Sequence, residues 1–420
     1  MCLTEGKQKA NHANGNANCN GNGVKSNGYN NNHSSSNNDV VINLDRGDPK
    51  IYYTYWKKMD DKCKVTIKAS ELMSYFGDYD EGGVFYQLPE FSKAVHRMHR
   101  IVGNAVTEGR YIIGGTGSSQ LFTVALRALA STVNATTNNS ILKKKHIPVV
   151  CAQPYYSCYE EALQEEKSEV YKWRGDANSF EGEGPYIEVV TTPNNPDGRL
   201  REPVVKKEGG MVICDLAYYW PQYTPITAAA DYDIMLFTLS KATGHAGSRV
   251  GWAIVKDKEI AARMIKLMSL ITIGTCHEGQ LRATTILDFI ADSYEAHLPN
   301  GKLEVSKPLE EGFFEFSHHL LADRWKKLRA AVNRCGAFNL PDYSAEYCDF
   351  MNKTTHPNPA YAWMELKSGE DAEKLMNELK IRTRAGPKFG VSSKYVRVSM
   401  LESDDTFNQF LERLSTLLCA

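Results

Sequence analysis

Between residues 149 and 255, five short apolar runs alternate with helical stretches: Val149-Val-Cys-Ala, Tyr186 to Thr192, Met211 to Asp215, Ile234 to Ser240 and Val250 to Val255. Each run is too short for a core helix, and each is apolar nearly throughout. That is the pattern of a strand covered on both faces. Helices between such strands supply the cover, so the pattern predicts an α/β sheet layered between helices. Ahead of these runs, the loop Gly114-Gly-Thr-Gly-Ser-Ser leads into a helix predicted over Ser119 to Leu129. In open α/β sheets, ligands bind beyond the carboxyl ends of the strands. Three polar residues stand there: Asn195, Asp215 and Lys241.

After about residue 305 the pattern changes. Phe313, Phe316, Leu320, Leu321, Trp325, Leu328 and Val332 recur at helical steps, and Gly336 stops the helix. A strand near Ala360 to Leu366, a helix from Glu370 to Leu379, a strand at Tyr395 to Met400 and a terminal helix predict a smaller α+β domain. Residues 7–39 are dominated by Asn, Gly, Ser, Lys and His. They bury too little apolar surface to offset ordering entropy, so a disordered tail is expected there. The charge balance, 49 basic against 50 acidic residues, carries no nucleic-acid or acidic-membrane footprint. No apolar run reaches the roughly 20 residues of a membrane helix, and no secretory signal opens the chain, so the expected compartment is the cytosol. The ten cysteines lack CxxC spacing, which argues against a metal site or a disulfide framework.

Lys241 is the sharpest chemical signal. It follows the apolar run Ile234 to Ser240, an unusual place for a charge. A Schiff base with an aldehyde cofactor, pyridoxal 5'-phosphate (PLP), explains it, and Arg249 eight residues on supplies a cation for the phosphate. Asp215 closes Met-Val-Ile-Cys-Asp. A carboxylate there either caps a turn or keeps a pyridine nitrogen protonated. Asn195, in Thr192-Pro-Asn-Asn-Pro-Asp-Gly, is either an ordinary turn residue or a partner for a ring hydroxyl. Tyr218 is spaced to donate to the same oxygen. Gly115-Thr-Gly-Ser-Ser-Gln opens a helix, where backbone N–H groups and the hydroxyls of Thr116, Ser118 and Ser119 form an anion cradle. Its spacing matches neither the dinucleotide nor the P-loop motif, which sets aside NAD and ATP. Arg397, in Tyr-Val-Arg-Val-Ser-Met, is either a clamp for a substrate carboxylate or half of a structural ion pair. Tyr156 either stacks on a ring or packs in the core.

Asn195, Asp215, Tyr218, Lys241 and Arg249, in this order and spacing, resemble the fold-type I PLP-dependent aminotransferases. Val41-Ile-Asn-Leu-Asp-Arg-Gly-Asp-Pro, Leu72-Met-Ser-Tyr-Phe, Asp215-Leu-Ala-Tyr-Tyr-Trp-Pro and Ser240-Lys-Ala-Thr-Gly-His-Ala-Gly-Ser-Arg look like the alliinase-related branch of plants. Within it the chain is most similar to the tryptophan aminotransferases of auxin biosynthesis, over about residues 40–418.

The resemblance implies a large domain over residues 70–305 with a mixed, mostly parallel sheet. It implies a small α+β domain from residues 40–69 and 306–420. PLP is the implied cofactor, with Lys241 as Schiff-base lysine and proton carrier, Asp215 on the ring nitrogen, and Asn195 and Tyr218 on the ring hydroxyl. Ser119, Gln120, Ser240 and Arg249 fall around the phosphate, beside the turn Thr116-Gly117-Ser118. Tyr75 reaches the phosphate of the partner subunit's cofactor, and Arg397 with Gly47 takes the substrate carboxylate. The implied assembly is a homodimer, and the implied reaction converts L-tryptophan and a 2-oxo acid such as pyruvate to indole-3-pyruvate. The alternative is a C–S lyase acting on S-substituted cysteines. Alliinases carry a cysteine-rich module before the catalytic domain. Here that region is the Asn-rich tail with only Cys2 and Cys19, which favours the aminotransferase. An intact Lys241, Asp215 and Arg249 argue against a non-catalytic binding protein.

Overall fold

The structure is a computed structural model that describes residues 40–77, 84–136, 146–295 and 312–417. Contacts divide the chain into residues 1–40 and 41–420, and the helices and strands of the described residues lie in the second unit. The tail predicted over residues 7–39 lies outside the described residues.

A two-residue strand, β1 (Ile42–Asn43), and helices α1 (Tyr53–Lys58) and α2 (Pro89–Val102) precede a seven-stranded sheet. Its strands are β2 (Tyr111–Gly115), β3 (Ile147–Cys151), β4 (Tyr171–Asp176), β5 (Tyr186–Thr191), β6 (Gly210–Asp215), β7 (Ile234–Thr238) and β8 (Gly251–Val255), in the order β2-β8-β7-β6-β5-β3-β4. β8 runs antiparallel to both neighbours and the remaining pairs are parallel, so the sheet is mixed and mostly parallel as expected. Helices α3 (Gly117–Thr136), α4 (Cys158–Glu166), α5 (Leu239–Ala242), α6 (Lys258–Ile271) and α7 (His277–Glu295) are interleaved with these strands.

The apolar pattern of β7 explains the layering. Met235 and Phe237 join a core with Phe91 and Val95 of α2 and Ile286 and Ile290 of α7. Ile234 and Leu236 join a separate core with Leu121 and Val124 of α3 and Met264 of α6. Alternate residues of one strand thus serve two cores, and burying each such side chain contributes about 1.5–3 kcal/mol.

The C-terminal part begins with α8 (Phe313–Cys335), which ends at Gly336 in the left-handed conformation, φ 66°. β9 (Phe338–Asn339), the hairpin β10 (Glu346–Cys348) and β11 (Lys353–Thr355), β12 (Tyr361–Leu366), α9 (Ala372–Glu378), β13 (Ile381–Arg382), β14 (Arg384–Ala385), β15 (Tyr395–Ser399) and α10 (Asp404–Leu414) follow. Four of these strands form an antiparallel sheet in the order β14-β15-β12-β9. β1 pairs with β13, which brings the start of the unit to its C-terminal part.

Two sequence expectations need correction. The strand predicted through Ser240 stops at Thr238, whose hydroxyl accepts from the Ser240 N–H at 3.3 Å and caps α5. Ser240 and Lys241 therefore sit on a helical turn rather than on a strand. Gly114 and Gly115, expected in a loop, are the last residues of β2. The antiparallel ladder to β8 holds them, pairing Gly114 with Trp252 and Gly115 with Gly251.

Candidate active site

Parallel register lines up the carboxyl ends of three central strands, pairing Thr191 with Asp215 and Asp215 with Leu236. Asp215 is buried. Its Oδ2 accepts from the Tyr159 hydroxyl at 2.8 Å and its Oδ1 from the Ala217 N–H at 3.0 Å. Burial pushes its carboxyl above the usual range, and these two hydrogen bonds only partly offset the push. Burial also holds Tyr159 well above the ordinary phenol, so Tyr159 stays a donor. Among the described residues, no basic side chain forms an ion pair with Asp215.

Asp215 opens onto a cavity of about 210 Å³. Nine of the residues picked out from sequence line it: Ser118, Ser119, Tyr156, Asn195, Asp215, Tyr218, Ser240, Lys241 and Arg249. Lys241 projects from the turn of α5, and its Nζ donates to the Gly47 carbonyl. Arg249 has φ 50° and donates from Nη1 to the Ala246 carbonyl at 3.0 Å. Gly117, at φ 78°, begins α3, and a Cβ there would lie 2.9 Å from Arg249 Nη2. The left-handed backbone there calls for glycine. The Thr116 N–H donates to Gln120 Oε1 at 2.7 Å, which fixes the turn into the helix. Tyr156 reaches the cavity from just ahead of α4, with its ring edge-on to Tyr159 at 5.5 Å.

Thr116 and Tyr75 do not line this cavity. They line a second one of about 730 Å³ that shares Arg249 with the first. Exposed apolar residues surround it: Met73 is 85% exposed, Tyr75 56% and Ile273 47%.

The roof comes from elsewhere in the chain. Arg397 is 2% exposed on β15. Its Nη1 donates to Asn195 Oδ1 at 2.9 Å and its Nη2 to the Asp45 carbonyl at 2.5 Å, while Nε has no partner. Its guanidinium lies 4.0 Å from the Tyr361 ring centroid and 5.3 Å from that of Phe389. Among the described residues, no carboxylate pairs with it. The structural ion pair that the sequence left open belongs instead to Arg384, directly across from Arg397, whose Nε meets Asp45 Oδ1 at 2.6 Å.

Sequence reasoning missed four residues here: Asp45, Tyr159, Tyr361 and Arg384. Tyr159, Tyr361 and Arg384 lie in no motif, and in Val41-Ile-Asn-Leu-Asp-Arg-Gly-Asp-Pro only Gly47, not Asp45, was singled out. Tyr361 reads as one more apolar position of β12, and Asp45 acts on Arg397 through its backbone. The Tyr361 hydroxyl lies 3.0 Å from that of Tyr218. Burial pushes Tyr361 up, but the positive charges of Lys241, Arg397 and Arg384 and the hydrogen bond with Tyr218 together outweigh it and leave the hydroxyl below the ordinary phenol.

The donor set tests what the cavity can hold. A buried carboxylate without a cationic partner suits a protonated ring nitrogen. Arg249, Ser118, Ser119 and the start of α3 suit a phosphate, and a lysine amine faces the same space. Together they fit PLP.

Comparison with solved structures agrees on the fold. A Thermus thermophilus aspartate aminotransferase matches with a TM-score of 0.59 at 16% identity, covering 90% of this chain and 92% of that one. An Escherichia coli protein with a methionine aminotransferase function matches with a TM-score of 0.59 at 13% identity, covering 90% and 94%. The fold is that of the fold-type I PLP-dependent enzymes, and the cofactor is PLP.

A family model described as Allinase matches residues 42–418, and the chain belongs to that family. Among its relatives, tryptophan aminotransferase-related protein 2 of Oryza sativa subsp. japonica is 44% identical over 383 residues, 90% of this chain and 74% of that one. The protein of the same description from Arabidopsis thaliana is 43% identical, over 90% and 82%. Alliin lyase 2 of Allium sativum is 33% identical, over 89% and 76%.

Proposed function

We propose that the protein is an aminotransferase that converts L-tryptophan and a 2-oxo acid, pyruvate first among them, to indole-3-pyruvate and the matching amino acid, in the cytosol and in the service of auxin synthesis. The observation that carries the reading is a shared strap. Arg397 donates to the carbonyl of Asp45 and Lys241 to the carbonyl of Gly47, so a guanidinium and an amine address one three-residue segment. That spacing suits an α-amino acid, with a carboxylate for the guanidinium and a Cα proton for the amine. Tryptophan is supported by the higher identity to relatives named for tryptophan aminotransferase, 44% and 43%, than to alliin lyase, 33%.

Bound PLP supplies an aldehyde carbon and an electron-withdrawing ring. In this reading Asp215 holds the ring nitrogen, backed by Tyr159, while Asn195 and Tyr218 hold the ring hydroxyl and Tyr156 lies against the ring. Ser118, Ser119, Gln120, Ser240 and Arg249 hold the phosphate, with Thr116 and Gly117 shaping the turn. Lys241 would carry the proton between the substrate Cα and the cofactor's C4′, on either side of the amino nitrogen, and the roof would keep water from the exchange. Arg397, beside Gly47, holds the substrate carboxylate. Residues 70–305 serve as the large domain, and residues 40–69 with 306–420 as the small one. The exposed apolar rim around Tyr75 suits burial by a second copy of the chain, from which Tyr75 reaches the partner's phosphate site.

The test is a titration of the PLP-loaded protein with L-tryptophan and no 2-oxo acid. Loss of the cofactor's visible band with one equivalent of indole-3-pyruvate per site is the expected result. Release of pyruvate and ammonia from an S-substituted cysteine, with no response to tryptophan, would instead establish the lyase.

A further inference from the structure

Tyr361 belongs to no motif, yet this one rigid side chain lies against Arg397, Tyr218 and Gly47. Its ring lies beneath the Arg397 guanidinium, 4.0 Å from the carbon to the centroid. Its hydroxyl is 3.0 Å from the Tyr218 hydroxyl. It also packs on Gly47, whose carbonyl receives the Lys241 amine. A Cβ on Gly47 would overlap the Tyr361 hydroxyl and lie 3.0 Å from both its ring carbon Cζ and Lys241 Nζ. The side chain is buried, and its place on β12 is fixed by the pairing of Tyr361 with Ser399 of β15.

We propose that Tyr361 is a positioning residue for the reaction: its ring sets the plane of Arg397, and its hydroxyl spaces Tyr218 and the Gly47 strap from Lys241. One side chain thereby sets where a substrate held by its carboxylate presents its Cα to the lysine amine. A guanidinium seated on a buried aromatic face keeps its fork in one orientation. The hydroxyl has a different task, because it fills the space that a side chain on residue 47 would otherwise take. The absence of a Cβ at Gly47 and the presence of the Tyr361 oxygen are two halves of one fit. The proposal rests on the functional reading of Lys241 and Arg397 above.

The two halves separate by substitution. Tyr361→Phe keeps the ring and removes the oxygen. We expect kcat for L-tryptophan to fall about 10-fold, the scale of one buried hydrogen bond, while calorimetric affinity of the loaded protein for indole-3-propionate, a carboxylate with no amine, stays within about 3-fold. Tyr361→Leu removes the ring as well, and affinity for the same probe should fall at least about 10-fold. Gly47→Ala should lower kcat more than Tyr361→Phe does. The double variant G47A/Y361F should regain about 10-fold of the Gly47→Ala loss, because the atom that the new methyl meets first is gone.

Equal kcat and probe affinity for Tyr361→Phe and the parent overturn the proposal, as do strictly additive effects of G47A and Y361F. If Tyr361→Leu fails to fold, the Phe variant and the double variant still decide the matter. A parent protein that binds PLP but neither tryptophan nor indole-3-propionate overturns the functional reading itself, and the positioning role with it. Normal behaviour of the parent with an unchanged Y361F overturns the positioning role alone.

Discussion

Asn195, Asp215 and Lys241 line the cavity at or just beyond the ends of neighbouring strands β5, β6 and β7, whereas Gly47, Tyr361 and Arg397 come from segments far from these strands in the chain and touch the lining residues Lys241, Tyr218 and Asn195. The floor is held by the register of one sheet, in which Thr191, Asp215 and Leu236 stand side by side. The roof is held by contacts that close long loops: Gly47 to Lys241 spans 194 residues, Asn195 to Arg397 202 and Asp45 to Arg397 352. The floor carries groups suited to making and moving bonds. The roof carries groups suited to gripping a carboxylate and keeping water out. A difference in construction thus goes with a difference in task, and the two regions should fail differently when altered.

The largest effect belongs to the floor. Lys241→Ala should reduce turnover at least about 10⁴-fold and remove the visible band of the bound cofactor. Turnover at the parent rate would end the assignment of this lysine. Asp215→Asn keeps the shape and removes the charge, and kcat should fall about 10²- to 10³-fold with PLP still bound. On the roof, Arg397→Lys keeps the charge and loses the fork. The loss, about 10²-fold in kcat/KM, should appear mainly as a raised KM. A fall in kcat at constant KM would erase the contrast between the two regions. Asp45→Asn breaks the pair with Arg384, in which each side chain is about a quarter exposed, and should cost about 3- to 10-fold in KM.

The smallest predicted effect sharpens the floor. Burial raises the Asp215 carboxyl above its unfolded value, so between the two values the folded state binds the extra proton. Stability of the cofactor-free protein therefore falls as pH rises through that window. The penalty is absent below the ordinary carboxylate range and complete above the raised value. Asp215→Asn should stabilise the cofactor-free protein at neutral pH, and the gain should vanish on acidification through the carboxylate range. The ring cation of bound PLP offsets the penalty, so the loaded protein should show no such gain. Thermal denaturation of both forms across pH checks this, and a pH-independent difference would mean that the carboxylate is not the cause.

Legibility in the sequence followed the same division. The strand ends were readable because β5, β6 and β7 are apolar nearly throughout and stop at polar residues, and because the turn at Asn195 is dense in proline and glycine. The helix ending at Gly336 was readable from its period and its stop signal. Lys241 was found, although its strand was carried two residues too far, because the capping role of Thr238 looks like one more strand position. Tyr361 was not found, since Ala-Tyr-Ala-Trp-Met reads only as a buried strand. Asp45 was not found as a partner of Arg397, because a backbone carbonyl leaves no mark on residue type. For Arg397 the sequence left a clamp and an ion pair equally open. In the structure the Asp45 carboxylate points toward Arg384 and not toward Arg397.

The sequence alone determined the alternation of strands and helices, the residues standing at the strand ends, and the resemblance that pointed to PLP. All three rest on local causes: apolar periodicity, turn chemistry and residue identity at fixed spacing. Only the tertiary structure decided that Asp45 and Gly47 strap the site, that Arg397 lies free of any carboxylate among the described residues, and that Tyr361 sits between Tyr218 and the guanidinium. The hydrogen bonds among those contacts join segments 143 to 352 residues apart. Local preference acts over a few residues, and closing such loops takes the burial of two whole sheets.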